Sequence, residues 1–234
     1  MITSLEGGGT ENFLYQVLQR SPRDYRHRVL FLKKDGVNGN RIRGLGIPVE
    51  GALGVAGVWS ALRRDRPAIL HTCLYQGNQW GRLLGHRAGV PAVLSSQRAM
   101  DHWQKPWHRW LDHWTLPLCD AVLVNSLAVE TLIQRRRGSR PKPLVVPIYN
   151  GVDPERLVAQ DRWIARQKYG IRMDALIAGS LLRLHREKGA DRIPAFAESL
   201  LTARPDMHFL IGGTGPLEAE LKRQTANKPW SGRL

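Results

Sequence analysis

Short apolar runs alternate along the chain with longer segments whose apolar residues recur every three or four positions. RVLFL (28–32), AILHTCL (68–74), PAVLSS (91–96), DAVLVNS (120–126), PLVVPI (143–148), ALIAGSLL (175–182) and HFLIGG (208–213) read as strands, and GIPVE (46–50) as a short extended piece. The helical period predicts helices over 56–64, 78–88, 103–116, 161–169 and 189–203, with others running to Arg137 and onward from Pro216. Strands that alternate with helices of about 10–15 residues predict an α/β fold, a parallel sheet with right-handed crossovers. AVLV and LVVPI are apolar at every position, as expected of strands covered on both faces. NGVDPERL (150–157), rich in turn-forming residues, reads as the crossing between two domains, 1–155 and 156–234.

The chain opens MITSLEGGGTENFLYQ. Glu11 to Leu18 has helical spacing, so the three glycines stand where a first strand-to-helix loop belongs. There Gly8 and Gly9 would let the backbone approach a ligand at the carboxyl edge of the sheet. MITSL leaves only a few residues for the strand before that loop, and the first strand is expected to be truncated.

Charge narrows the partners. Lys and Arg number 35 against 20 Asp and Glu, a net +15, which favours a polyanionic partner: nucleic acid, an anionic membrane face or a phosphorylated substrate. Neither zinc-finger spacing nor a helix-turn-helix pattern is present, nor are aromatics interleaved on a strand face, so nucleic acid is not expected. Cys73 and Cys119 are far apart with no CxxC, which argues against a disulfide framework and a zinc site. No apolar run approaches the roughly 18 residues of a membrane span, and the opening residues lack the basic start and apolar core of a signal peptide. A reducing cytoplasm is the expected compartment.

One segment stands apart. DHWQKPWHRWLDHWTLPL places tryptophans at 103, 107, 110 and 114, all on one helical face, with Lys105, His108, Arg109 and His113 beside them. The stripe is expected to face the core, because Trp buries a large area. The alternative is a membrane interface, which aromatic rings with basic neighbours also suit. His102, His108 and His113 have no acidic or thiol partner at ligand spacing, so no metal is expected there. The run IQRRRGSRPK (133–142) reads as the basic end of a helix, where cations are favoured, with anionic-lipid contact as its alternative.

Six stretches, in order, resemble family 4 glycosyltransferases. They are ITSLEGGGTEN, AILHTCLYQGNQWGRLLGHRAGVPAVLSSQR, DAVLVNS, IYNGVDPERL, GSLLRLHREKGADRI with its following FAESL, and FLIGGTGPLEAEL. The resemblance covers nearly the whole chain. It implies the GT-B fold, with a Rossmann-like acceptor-side domain followed by a Rossmann-like donor-binding domain. It also implies a retaining transfer of sugar from a nucleoside diphosphate of the UDP or GDP type, with no cofactor or metal. The acceptor would be a cell-surface glycan or a lipid-linked compound, met by a cytoplasmic protein in peripheral contact with the inner membrane face.

The chemistry asks for cations. Sugar transfer leaves negative charge on the diphosphate, which positive groups must stabilise. Arg183, at the end of a strand, and Lys188, at the start of the next helix, stand where a sheet edge and a helix N-terminus favour anions. Gly213, Thr214 and Gly215 form the second donor element, with Pro216 suited to a first helical position. His71, read as a strand end, suits a hydrogen bond to an acceptor hydroxyl or a proton transfer. Ser95, Ser96, Arg98 and Asn125 would line the acceptor side, and Asn125–Ser126 would otherwise cap the following helix.

The chain departs from the family in three places. Leu182 stands where the family has Gly, and Cys73 where it has a second His. The glutamates fall at 6, 11, 50, 130, 155, 187, 198, 218 and 220, and no two are eight apart as in the family's donor motif. Both ends therefore look cut, and catalysis by this chain alone is expected to be absent or impaired. Other readings are a basic, non-catalytic fragment that binds a membrane or partner, and a sugar epimerase on the same fold.

Overall fold

The computed structural model describes residues 1–51, 54–101, 103–154 and 161–234, so His102 and the last three residues of the NGVDPERL crossing lie outside the described residues. The chain divides into two compact units, Met1–Val152 and Asp153–Leu234.

Unit 1 is built on parallel strands. β1 (Val29–Leu30) pairs with β2 (Val49–Glu50), and β3 (Ile69–Cys73), β4 (Ala92–Gln97), β5 (Ala121–Val124) and β6 (Leu144–Pro147) pair in that order. The opening residues join the two sets. Ile2 bridges Phe31 on one side and Cys73 on the other, both in parallel sense, and is fully buried. Its N–H donates to the Leu30 carbonyl, and its carbonyl accepts from Leu32. MITSL, short as it is, therefore occupies the slot of a first strand, and the order across the sheet is β2, β1, residues 1–5, β3, β4, β5, β6. The order reverses between residues 1–5 and β3, the topological switch point of a doubly wound sheet.

Helices alternate with the strands: α1 (Gly9–Gln19), α2 (Val37–Arg43), α3 (Val55–Asp65), α4 (Tyr75–Arg87), α5 (Pro106–Thr115) and α6 (Leu127–Arg137). α4 packs directly against the sheet, because Gly77, Gly81 and Gly85 recur every four residues on its inner face. A Cβ on Gly81 would stand 2.2 Å from the Thr72 Cγ2, and one on Gly85 would stand 2.7 Å from the Leu70 Cδ2. α6 starts at Ser126, whose hydroxyl accepts from the Val129 N–H. It ends in Arg135, Arg136 and Arg137, as expected of a helix C-terminus. α2 has no forecast in the apolar pattern.

β5 is buried between neighbours, but β6 is an edge strand and Leu144 is 62% exposed. The expectation that LVVPI is covered on both faces fails: Leu144, Pro147 and Ile148 are exposed and Val145 and Val146 only half-buried, because too little of unit 1 packs over the faces of this last strand.

Unit 2 holds α7 (Arg162–Lys168), the parallel pair β7 (Leu176–Leu181) and β8 (Met207–Gly212), α8 (Ile193–Ala203) and α9 (Glu218–Thr225). Its core gathers Leu184, Ile193, Ala197, Leu201, Phe209, Leu221 and Trp230. Two 3-10 turns, Arg186–Lys188 and Ala190–Arg192, precede α8. Lys188 is thus on an exposed turn and not at a helix start, because Gly189 takes a left-handed φ of +74° and breaks the run. Pro216 likewise falls two residues before α9.

Candidate functional site

In unit 1 the carboxyl ends of the central strands surround a pocket of about 570 Å³, within the usual range of small-molecule sites. Thr3 and Thr10 flank it after the first slot, Leu74 and Tyr75 after β3, and Ser96, Gln97 and Arg98 at the end of β4. α4 and α5 supply its walls. Leu74 (φ +64°) and Asp101 (φ +49°) are non-glycine residues with left-handed backbone, and both line the pocket. Such strain persists only where surrounding structure holds it, and it gathers at functional sites.

Beneath the pocket lies a polar network that the sequence reading missed. Arg82 is fully buried; its Nε donates to Ser95 Oγ at 2.9 Å and its Nη1 to Asp112 Oδ1 at 2.6 Å. Asp112 also accepts from Gln79 at 3.0 Å and from Arg136 at 2.9 Å, and Arg136 reaches Gln104 at 2.8 Å. Burial pushes the Asp112 carboxyl up, but Arg82 and Arg136 outweigh it and hold the group below the usual carboxylate range. Thr72 joins the network through Asn78 and Ser95, both at 2.9 Å. Arg136 comes from the RRR run, so part of that run serves a buried carboxylate. A signal was present: Asn78 and Arg82 are four apart on α4, in register with its glycines.

Several candidate residues are relocated by this geometry. Ser95 is fully buried and spends its hydroxyl on Thr72 and Arg82, so it does not line the pocket. Ser96, on the opposite face of the strand, does. His71 is mid-strand and not at a strand end, since β3 continues to Cys73. Its Nε2 meets Ser96 Oγ at 2.8 Å, and burial, with the nearby N-terminal amine and Arg98, lowers its pKa to about 4. The ring is neutral at physiological pH. Cys73, in place of the family's second His, is buried with its thiol 4.0 Å from that ring. Arg98 stacks 3.5 Å over the Phe13 ring and donates to Asn150. Asn125 donates to the Arg98 carbonyl at 3.2 Å, which fixes the Arg98 backbone from below.

The glycine loop is also more specific than expected. A Cβ on Gly8 would stand 2.2 Å from the Glu11 Oε2, because that buried carboxylate folds back over the loop, whereas Gly9 faces open space.

The tryptophan stripe does not face the core. Trp103, Trp107, Trp110 and Trp114 are 50–64% exposed, while α5 buries Asp112 and Thr115 on its other side. The network beneath the pocket is the reason: α5 turns its polar face inward to reach Arg82 and Gln79, so its aromatic face points out. Trp103, Trp107, His108 and Tyr75 pack edge-on or stacked with centroids 3.4–5.3 Å apart. Burial pushes the Tyr75 hydroxyl up to about 12, and it donates to the His108 carbonyl at 3.1 Å.

In unit 2, residues 182–184 and 212–215 run side by side. Leu182 N–H donates to Gly212, Leu184 N–H to Thr214 and Leu217 N–H to Leu184. A Cβ on Gly213 would stand 1.8 Å from the Leu182 carbonyl oxygen, and one on Gly215 2.4 Å from that of Leu184. The close approach that requires these glycines is thus made by backbone of the same unit. It brings Arg183 and Thr214, both exposed, to the carboxyl edge of β7 and β8, with exposed Lys188 on the turn that follows β7. Among the described residues no group of three or more His, Cys, Asp or Glu converges as a metal site would require.

A parallel doubly wound sheet with a pocket at the switch point places unit 1 in the Rossmann-like α/β class, in which ligands bind at that edge. The family model of the glycosyl transferase 4-like domain matches residues 8–151, and the chain belongs to that family. The chain is 26% identical, over 204 residues, to a 2-deoxystreptamine glucosyltransferase of Streptomyces kanamyceticus, covering 76% of this chain and 52% of that protein. The chain thus spans about half the length of this curated relative. Among solved structures, Anabaena Alr3699/HepE in complex with UDP superposes with a TM-score of 0.80 at 20% identity, covering 99% of this chain and 66% of that one. A glycosyltransferase from Rickettsia africae gives 0.69 at 14% identity, covering 97% and 64%. The fold is of the GT-B type, with a Rossmann-like parallel sheet.

Proposed function

We propose that the chain is part of a nucleotide-sugar-dependent glycosyltransferase. The observation that carries this reading is the family match over residues 8–151, the stretch that builds the switch-point pocket. Unit 1 is the acceptor side and unit 2 the donor side. The donor is a nucleoside diphosphate sugar, a reading supported by the UDP and UDP-glucose complexes of the Anabaena protein. Arg183 and Lys188 stabilise the charge that develops on the departing diphosphate, with Thr214 and the Gly213 and Gly215 backbone beside them. No metal or cofactor is invoked; transfer is retaining and rests on positioning and leaving-group stabilisation. A neutral His71 holds the Ser96 hydroxyl toward the acceptor, with Arg98 beside it, and Gly8 and Gly9 let the backbone approach the donor. The acceptor is a cell-surface glycan or a lipid-linked compound.

Calorimetric titration with UDP, GDP and ADP and their sugar conjugates tests this. One nucleotide should bind, and Arg183→Ala should weaken it at least tenfold; silence across the panel from a folded chain rejects the donor site.

A second reading is favoured by one observation, the exposed tryptophans with Lys105 and Arg109 among them. Trp prefers membrane interfaces and Lys or Arg anionic headgroups. Peripheral contact with an anionic inner membrane face fits both, either alongside catalysis or as the whole role of a non-catalytic chain. Among the described residues no helix is long and apolar enough to cross a membrane. Vesicles containing phosphatidylserine should co-sediment with the chain, and Trp110→Ser with Trp114→Ser should abolish this; equal binding by the double variant ends the reading.

A further inference from the structure

A second cavity of unit 1, of about 410 Å³, opens between α5, α6 and the loop after β4. Of its lining residues only Asp101 also lines the switch-point pocket. Arg109 enters it from α5, and Leu132, Arg135 and Arg136 enter from one face of α6, where residues three and four apart are neighbours. Arg136 is already spent: its guanidinium donates to Asp112 Oδ2 at 2.9 Å and to Gln104 Oε1 at 2.8 Å. Arg109 and Arg135 are exposed, and among the described residues their side chains have no hydrogen bond or ion pair.

The acids of this region are engaged elsewhere. Asp112 accepts from Arg82, Arg136 and Gln79, and Asp101 accepts from Gln97, Gln104 and Trp103. Four guanidinium groups, those of Arg82, Arg109, Arg135 and Arg136, thus stand around two carboxylates, and two positive charges are left over. The shortage of acceptors reaches into the core, where Arg82 Nη2 is buried with no partner among the described residues. Like charges gathered in this way repel one another. An arrangement that keeps them together fits a site whose neutralising group comes from outside.

We propose that this cavity binds the dianion of a phosphate monoester, held by Arg109 and Arg135 and backed by the charge of Arg136. A guanidinium presents two parallel N–H donors to a phosphate, whereas an ammonium acts as a point charge, so arginine at all three positions suits a tetrahedral oxyanion. A dianion matches the two charges left over. The cavity is larger than a bare phosphate, and Met100 and Leu132 offer apolar surface to the rest of the molecule. The site uses none of the residues assigned to donor or acceptor and does not rest on the glycosyltransferase reading. A soluble phosphate ester and a lipid headgroup carry the same chemical group, so both are titrated.

The test is calorimetric titration with inorganic phosphate and with glycerol 3-phosphate, using the full chain carrying Arg183→Ala so that the proposed donor contact is removed. Both should bind saturably at one site. Arg109→Gln with Arg135→Gln should weaken both at least tenfold, and the fold should survive because neither side chain has a partner to lose. Should that variant fail to fold, Leu132→Glu, which sets a carboxylate beside the two arginines, should have the same effect. Trp110→Ser with Trp114→Ser should change nothing, which separates the site from adsorption on the tryptophan face. The source is read from phosphatidylcholine vesicles containing phosphatidic acid, titrated into that tryptophan variant. Binding at least tenfold tighter than that of glycerol 3-phosphate assigns the group to a lipid headgroup; equal or weaker binding assigns it to a soluble ester. Absence of saturable phosphate and glycerol 3-phosphate binding, or binding that survives in the arginine variant, overturns the proposal.

Discussion

β5 and β7 are written in nearly the same alphabet, and the fold treats them oppositely. AVLV of β5 has strands on both sides and α6 packed against it, and Val122 and Val124 are buried. Among the described residues LIAGSL of β7 pairs with β8 alone, and Leu176, Ile177 and Leu181 are exposed, the last by 91%. Hydrophobicity says that a segment gains by burial; whether it is buried depends on what else is present to cover it. α4 and α5 carry the same lesson in reverse. Both turn polar residues inward, and α5 turns its tryptophans out, because a network centred on Asp112 holds them together.

The largest effect that would break this contrast is at that network. Asp112→Ala leaves Arg82 buried without its carboxylate and should cost about 3–5 kcal/mol in chemical denaturation of unit 1. Unit 2, which shares none of these bonds, should unfold at an unchanged midpoint. His71 follows. Its folded pKa of about 4 lies below the ordinary 6.5, so the unfolded chain binds the extra proton as pH falls. The stability of unit 1 should be unaffected above pH 6.5 and decline from there toward pH 4, by on the order of 3 kcal/mol. His71→Asn should flatten that slope in a pH series of melts. Next, Val122→Ala in β5 should cost roughly 2 kcal/mol, about 0.8 kcal/mol for each of the two buried carbons removed and the rest for the cavity left behind. The smallest effect sharpens the comparison most: Leu181→Ser in β7 should change the midpoint of unit 2 by less than about 0.5 kcal/mol. A cost near that of Val122→Ala would mean that β7 is covered in solution.

Much of the fold was legible because it follows from periodicity. Each apolar run read as a strand forms one, and the helices between them fall close to their expected spans. α2 was not, because VNGNRIR has no apolar stripe; tertiary bonds hold it, among them Asn38 Nδ2 to the Glu6 carbonyl at 2.6 Å. The candidate site was half legible. Ser96 and Arg98, singled out because they end a strand, do line the pocket, but adjacent serines on a strand face opposite ways, and only the sheet decided that Ser95 braces while Ser96 lines it. Arg82, Gln79 and Asp112 escaped notice because a polar residue on an amphipathic helix reads as solvent-facing unless its buried partner is known.

By itself, then, the sequence determined the order of strands and helices, the parallel sense of the sheet, the net charge and the family, since each is carried by local spacing or by residues read in line. The tertiary structure alone decided which apolar segments are covered and which way the tryptophans face. It also decided which polar groups are spent on one another. Those outcomes depend on partners distant in sequence, and a buried charge or an exposed ring is stable only in relation to them.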